Sequence, residues 1–242
     1  MHASRLVKQV YAFSRARYEA GESSRWCKYT HALLTELGME EVWQQGTLDY
    51  DDKKWDRELR EKIHAREEKE WRERMKTKPK LRTYITIKNE LKFEPHLTHD
   101  DTKAREIMTR LRGGTNELRI ETGRYPSTNR DRRLEENERR CLLCLSGEIE
   151  DEKHFVMDCR EYGDLREKMF EVVKRVVLKK KEEIEEVTKS EIGRQRVFGA
   201  LMRGQGVADE SQADLRSVVL EYCRAAMRRR HHVVVTYLDQ RT

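Results

Sequence analysis

The stretch "CLLCLSGEIEDEKHFVMDC", residues 141–159, constrains this chain more than any other. Its donors run Cys141, two residues, Cys144, nine residues, His154, four residues, Cys159. Two thiolates separated by two residues wrap around one ion in a tight loop, and His154 with Cys159 can supply the opposite half. Four donors close a tetrahedral shell with no open position, so such a centre is structural, not catalytic. Thiolate and imidazole suit Zn²⁺ and not the carboxylate-preferring hard metals, so one structural zinc per chain is expected. Three buried thiols and a core histidine without a metal are the plain alternative, but a CxxC followed by a second pair is far rarer than a lone CxxC. A redox CxxC is disfavoured because no βαβ pattern surrounds it. A RING scaffold needs twice as many ligands.

Outside this stretch the signal is helical periodicity in a charge-rich chain. Charged residues make up 40% and apolar ones 36%, with only three prolines, a balance that favours solvated helices over sheets with exposed edges. Leu6, Val10, Tyr11 and Phe13 predict a helix over about 2–20, and Trp26, Tyr29, Leu33 and Leu34 a second one closed by Gly38. Val42 and Trp43 mark a short third helix; Trp55, Leu59, Ile63 and Trp71 form the stripe of a long amphipathic one over 52–76. Pro79 breaks it, residues 80–93 read as helix more than strand, and Thr98 with Asp101 resembles a capping box for a helix ending near Gly113. Residues 126–129 read as loop, 162–187 as one long helix, and 192–202 and 212–235 as two more, with a linker at "MRGQGVADESQ". The expected architecture is all-α: a helical assembly around a small CCHC zinc knuckle, organised as 1–78, 79–166 and 167–242.

No apolar run reaches the roughly 20 residues of a membrane span, and the N-terminus lacks a signal-peptide core, so an intracellular protein without membrane contact is expected. Five cysteines argue against a disulfide framework. Cys27 and Cys223 read as buried apolar thiols, and His96, His99, His231 and His232 carry no ligand pattern.

Four segments together, "KLRTYITIKNELKFEPHL", "LRGGTNELRIETGRYP", "RRCLLC" and "EDEKHFVMDCREYGDLR", carry a resemblance. They resemble the zinc-binding region C-terminal to the polymerase in non-LTR (LINE-like) retrotransposon reverse transcriptases of animals. The matching positions include Lys80, Arg82, Tyr84, Lys88, Arg112, Glu121, Gly123, Arg124, Tyr125, Glu150, Glu152 and Arg166 beside the four metal donors. "LLTELGMEEVW" is similar to a helix preceding that region. The resemblance implies a zinc-stabilised helical module that handles nucleic acid for a retroelement or a protein descended from one. It does not imply polymerase activity. In "LDYDD" at 48–52 the aromatic residue directly precedes the paired aspartates instead of standing two before them, so the chain reads as a non-enzyme.

Phosphate binding needs cations grouped on one face. With a net charge of +6, from 51 basic against 45 acidic residues, local clusters decide. One comprises Arg72, Arg74, Lys76, Lys78, Lys80 and Arg82 beside Trp71 and Tyr84. A second leads into the metal segment: Arg119, Arg124, Arg130, Arg132, Arg133, Arg139 and Arg140, with Tyr125 interleaved. A third is Arg228-Arg229-Arg230-His231-His232. The second is favoured, because a zinc knuckle would rigidify it and lower the ordering cost of binding, while arginine forks pair with phosphate and stack on bases. Expected partners are RNA or DNA together with other retroelement or host proteins, with the nucleus favoured over the cytoplasm. The rival expectation is a helical protein-interaction scaffold in which zinc only holds the fold.

Overall fold

Apolar side chains spaced three and four apart, with charges between them, leave helix as the local solution almost everywhere. The computed structural model describes residues 3–22, 24–45, 52–126, 132–178, 183–203 and 209–239. Eleven α-helices occur among the described residues: α1 Ala3–Glu19, α2 Arg25–Glu36, α3 Glu40–Gln45, α4 Asp52–Lys76, α5 Arg82–Ile87, α6 Thr102–Arg112, α7 Arg119–Thr122, α8 Gly163–Val176, α9 Ile184–Val187, α10 Glu191–Arg203 and α11 Asp209–Asp239. No strand is present among those residues; a single antiparallel bridge joins Arg140 and Ile149. The all-α expectation is met. No helix among them is long and apolar enough to cross a membrane.

The chain forms two compact units, Met1–Glu73 and Arg74–Thr242. In the first, Cys27, Leu34, Leu37, Met39 and Trp43 form a small core, with Trp55, Leu59 and Ile63 of α4 packed against it. Trp43 organises the cluster: its ring meets Tyr11 and Tyr18 edge-on at 5.9 and 5.7 Å and stacks on His31 at 4.9 Å. The Ser24 side chain caps α2 by accepting from the Cys27 amide. Gly38 follows that helix at φ +64, a conformation that costs glycine little.

In the second unit α6 and α8 pack along α11, and α10 packs against α5 and α11. One core runs through them, from Leu111, Leu118 and Ile120 through Phe155 and Tyr162 to Met169, Leu215, Leu220 and Cys223. It joins residues 79–166 to 167–242, because Tyr222 of α11 donates its hydroxyl to the Phe155 carbonyl and meets the Phe155 ring at 6.0 Å. Asp101 itself caps α6, accepting from the Ala104 amide at 3.0 Å, while Thr98 donates to the Pro95 carbonyl in a preceding 3₁₀ turn. The predicted helix over 80–93 shortens to α5, and the predicted helix over 162–187 is two elements, α8 and α9. Gly114, at φ +61, lets the chain cross the 78–82 segment closely; a Cβ there would lie 2.0 Å from the Lys80 carbonyl oxygen.

Candidate metal centre

The four donors of the 141–159 stretch converge. Cys141, Cys144, His154 and Cys159 are all buried, and one ligand atom from each lies within 4.8 Å of the others. Cys141 and Cys144 stand on a tight loop tied at its base by Cys141 N–H to Glu148 O (2.8 Å) and Glu150 N–H to Arg139 O (2.9 Å). The loop turns through Leu145 at φ +52 and Gly147 at φ +82. His154 opens a π-helical turn, His154–Asp158, its amide bonded to the Asp151 carboxylate at 2.7 Å, and Cys159 follows that turn before α8.

Two of the donor separations lie close to the edges of a tetrahedral shell. Zn–S bonds of about 2.3 Å and a Zn–N bond of about 2.0 Å imply ligand edges of about 3.8 Å between sulfurs and about 3.6 Å from sulfur to nitrogen. Cys141 Sγ lies 3.9 Å from Cys159 Sγ, and Cys144 Sγ lies 3.4 Å from His154 Nε2. Nε2 is therefore the nitrogen turned toward the thiols. The group could hold a metal ion.

The electrostatics of the donors agree. The hydrogen bond from Cys159 draws the Cys141 thiol well below the ordinary thiol range, and the same bond with burial pushes Cys159 up. Burial opposes charge on His154, but the hydrogen bond to Cys141 and the two thiols beside it raise its pKa to about 9. The cluster thus favours the thiolate at Cys141, the form in which cysteine ligates a cation.

Buried side chains brace these turns. Arg166 of α8, 7% exposed, donates to the carbonyls of Val156 (2.9 Å) and Cys159 (2.6 Å). Arg160 donates to the Cys144 carbonyl. Glu150 receives Arg230 of α11 through two bonds, at 2.7 and 2.8 Å, and the Arg119 amide at 2.7 Å. Glu152 binds Arg82 (2.7 Å), Thr83 (3.0 Å) and Asn116 (2.7 Å). Glu121 pairs with Arg82 and, at 3.1 Å, with Arg124. Glu121, Glu150 and Glu152 stand among the positions that carry the resemblance, and the fold shows what they hold: arginines and amides brought from sequence-distant segments. The signal was present as "EIEDE" beside the donors, acids too close to a buried centre to be idle.

The residues expected to contact nucleic acid divide into groups. Arg82 and Arg124 are committed to carboxylates, and Arg139 donates to the carbonyls of Leu134 and Ile120. Arg119 is half-buried. Arg132 pairs with Glu138 at 2.7 Å on the surface. Lys78, Arg133 and Arg140 are exposed, and the Lys80 ammonium sits 5.1 Å from the centre of the exposed Tyr125 ring. The contact between Lys80 and Tyr125, with the pairing of Arg82 and Glu121, brings these two members of the first basic cluster against the second. Arg130 lies outside the described residues, as do residues 48–51 of "LDYDD". In the third cluster, Arg230 is buried on Glu150, Arg229 pairs with Asp164 at the surface, and Arg228 is exposed. Phe155 is fully buried against Tyr162, at 5.2 Å between ring centres, and is packing, not a contact surface.

Compared with known proteins, the chain matches no family model, no curated protein and no solved structure.

Proposed function

We propose that this chain is a non-catalytic nucleic-acid-binding module held together by one structural Zn²⁺, belonging to or descended from a non-LTR retrotransposon reverse-transcriptase reading frame. Cys141, Cys144, His154 and Cys159 would hold the ion as a CCHC knuckle, leaving no position for substrate. The observation that carries the reading is this buried, convergent set of four donors, in a chain that also exposes Lys78, Arg133 and Arg140. The order of motifs across residues 81–166 supplies the family.

In this reading the ion fixes the loop from Arg139 to Glu150, and that loop holds Arg140 at the surface near Arg133. Lys78 and Lys80 complete the cationic surface, and Tyr125 offers a ring on which an unpaired base can stack. Four phosphate contacts on a single strand predict a log–log salt slope of about −3. Nuclear residence, where template RNA and target DNA meet, would follow from the same reading.

A specific observation favours the second reading, a helical scaffold. Arg82, Arg124, Arg132, Arg229 and Arg230 are all tied to carboxylates, which removes much of the charge that the sequence offers to phosphate. Zinc stoichiometry by native mass spectrometry, on the intact chain and on Cys144→Ser, separates the readings when RNA and DNA binding is followed against salt. One zinc per chain, lost in the variant together with salt-dependent binding, supports the module. One zinc with no binding, or with binding indifferent to salt, favours the scaffold; absence of zinc overturns both.

A further inference from the structure

A cavity of about 490 Å³ opens between α6 and α11, away from the four metal donors and from the exposed basic surface of residues 78–140 described above. Its size falls within the roughly 300–1,000 Å³ range of small-molecule sites. Ile107 of α6 and Met227 of α11, 8% and 9% exposed, give it an apolar floor. Helical spacing sets cations beside that floor: Lys103 stands four residues before Ile107, and Arg224 and Arg228 flank Met227 on one face of α11.

These cations are not fully neutralised. Lys103 shares Glu106 with Arg110, at 3.0 and 2.8 Å. Arg224 pairs with Asp101 across an exposed bridge, the kind that water screens and a stronger anion displaces. Arg228 is exposed and makes no ion pair with a described residue. Glu117 adds a half-exposed carboxylate to the lining, 3.9 Å from both Arg110 and His231 and so within reach of neither for a hydrogen bond.

We propose that this cavity binds a nucleoside monophosphate unit, its base on Ile107 and Met227 and its phosphate between Arg224 and Arg228. Two planar guanidinium forks match phosphate oxygens. A flat base covers the apolar floor, and its amino group offers Glu117 a hydrogen-bond donor that an acidic peptide side chain lacks. The unit can be a free 5′-nucleotide or one unstacked residue of a strand. The inference does not rest on strand binding at the Lys80–Arg140 surface.

The test uses the full chain carrying ¹³C-methyl methionine, with the Met227 methyl signal assigned by Met227→Leu. It is titrated with AMP, CMP, GMP, UMP and inorganic phosphate. The expected result is a saturable shift of the Met227 methyl with the amino-bearing nucleotides, weaker with UMP and absent with phosphate. Arg228→Glu weakens binding about tenfold or more with zinc content unchanged. A Met227 signal unmoved by every nucleotide, an equal response to inorganic phosphate, or unchanged affinity in Arg228→Glu overturns the proposal. A short single-stranded oligonucleotide that displaces AMP identifies the strand as the source, and one that binds alongside AMP identifies the free nucleotide. A nucleotide response in a chain that binds no strand at all sinks the proposed function and leaves this inference standing.

Discussion

The two compact units bury different kinds of chemistry. In Met1–Glu73 the buried described residues are apolar: Cys27, Leu34, Leu37, Met39 and Trp43. In Arg74–Thr242 the buried set includes Lys88, Arg112, Glu121, Glu150, Glu152, His154, Arg166 and Arg230. An apolar core tolerates volume-conserving change, because dispersion and hydrophobic burial carry little direction. A core threaded with ion pairs demands its partners in place, because removing one leaves a buried charge uncompensated. The second unit therefore depends more on specific contacts, and those of Glu150, Glu152 and Arg166 brace the segment that carries the four donors.

The sharpest way to break this contrast is to deny the four donors the zinc proposed for them. A structural zinc contributes on the order of 10 kcal/mol in small zinc domains. Chelation, or Cys144→Ser, should abolish amide-exchange protection around the 141–159 loop and in α8, while the aromatic cluster around Trp43 keeps its protection. Hydrogen exchange by mass spectrometry reads both regions in one experiment. Equal loss in the two units would erase the distinction.

The next largest effect is expected at Glu150. Arg230→Met removes both bonds from α11 and leaves a carboxylate that is 1% exposed with only the Arg119 amide. The cost should be about 3–5 kcal/mol in denaturant unfolding, with much of it recovered in Arg230→Met/Glu150→Leu. A single variant as stable as the parent would show that the pair is not part of the core's support.

His96 gives a pH-dependent version of the same contrast. Burial, with Arg112 next in strength, lowers its pKa from 6.5 to about 4, and its Nε2 lies 3.1 Å from the Thr109 hydroxyl. Lys88 and Arg216 add to the depression, and Glu94 opposes it. The unfolded chain therefore takes the proton first, so stability is undiminished above pH 6.5 and declines as pH falls toward 4. The loss amounts to about 3 kcal/mol by the lower end. His96→Gln should flatten that decline relative to the parent, since the carboxylates common to both chains cancel in the difference. Identical slopes for the two chains would remove His96 from the account.

The smallest effect belongs to the helix cap. Asp101→Ala deletes the acceptor for the Ala104 amide and the partner of Arg224, and should cost about 1 kcal/mol by chemical denaturation. It would also release Arg224 at the cavity between α6 and α11.

Much of the helical order was legible. The periodicities around Leu33, Trp55 and Val197 produced α2, α4 and α10 because each depends on residues within two or three turns. The donor set was legible for the same reason: Cys141 to Cys159 is one short segment, and its spacing alone limits what it can wrap. The helix ends were less so. Asp101 takes the cap because its carboxylate reaches the Ala104 amide, while Thr98 is already turned to the Pro95 carbonyl. The fate of the arginines was not legible at all. Arg230, in the run "RRRHH", reads as solvated basic surface, yet it lies buried on a carboxylate 80 residues away.

By itself, then, the sequence determined the helical class and which four side chains share a centre, since both follow from local spacing and ligand chemistry. Only the tertiary structure decided which cations face water and which neutralise Glu121, Glu150 and Glu152. It alone opened the cavity between α6 and α11. A charge in a sequence has no neighbours until the chain folds, and whether it is free depends on carboxylates brought to it from far along the chain.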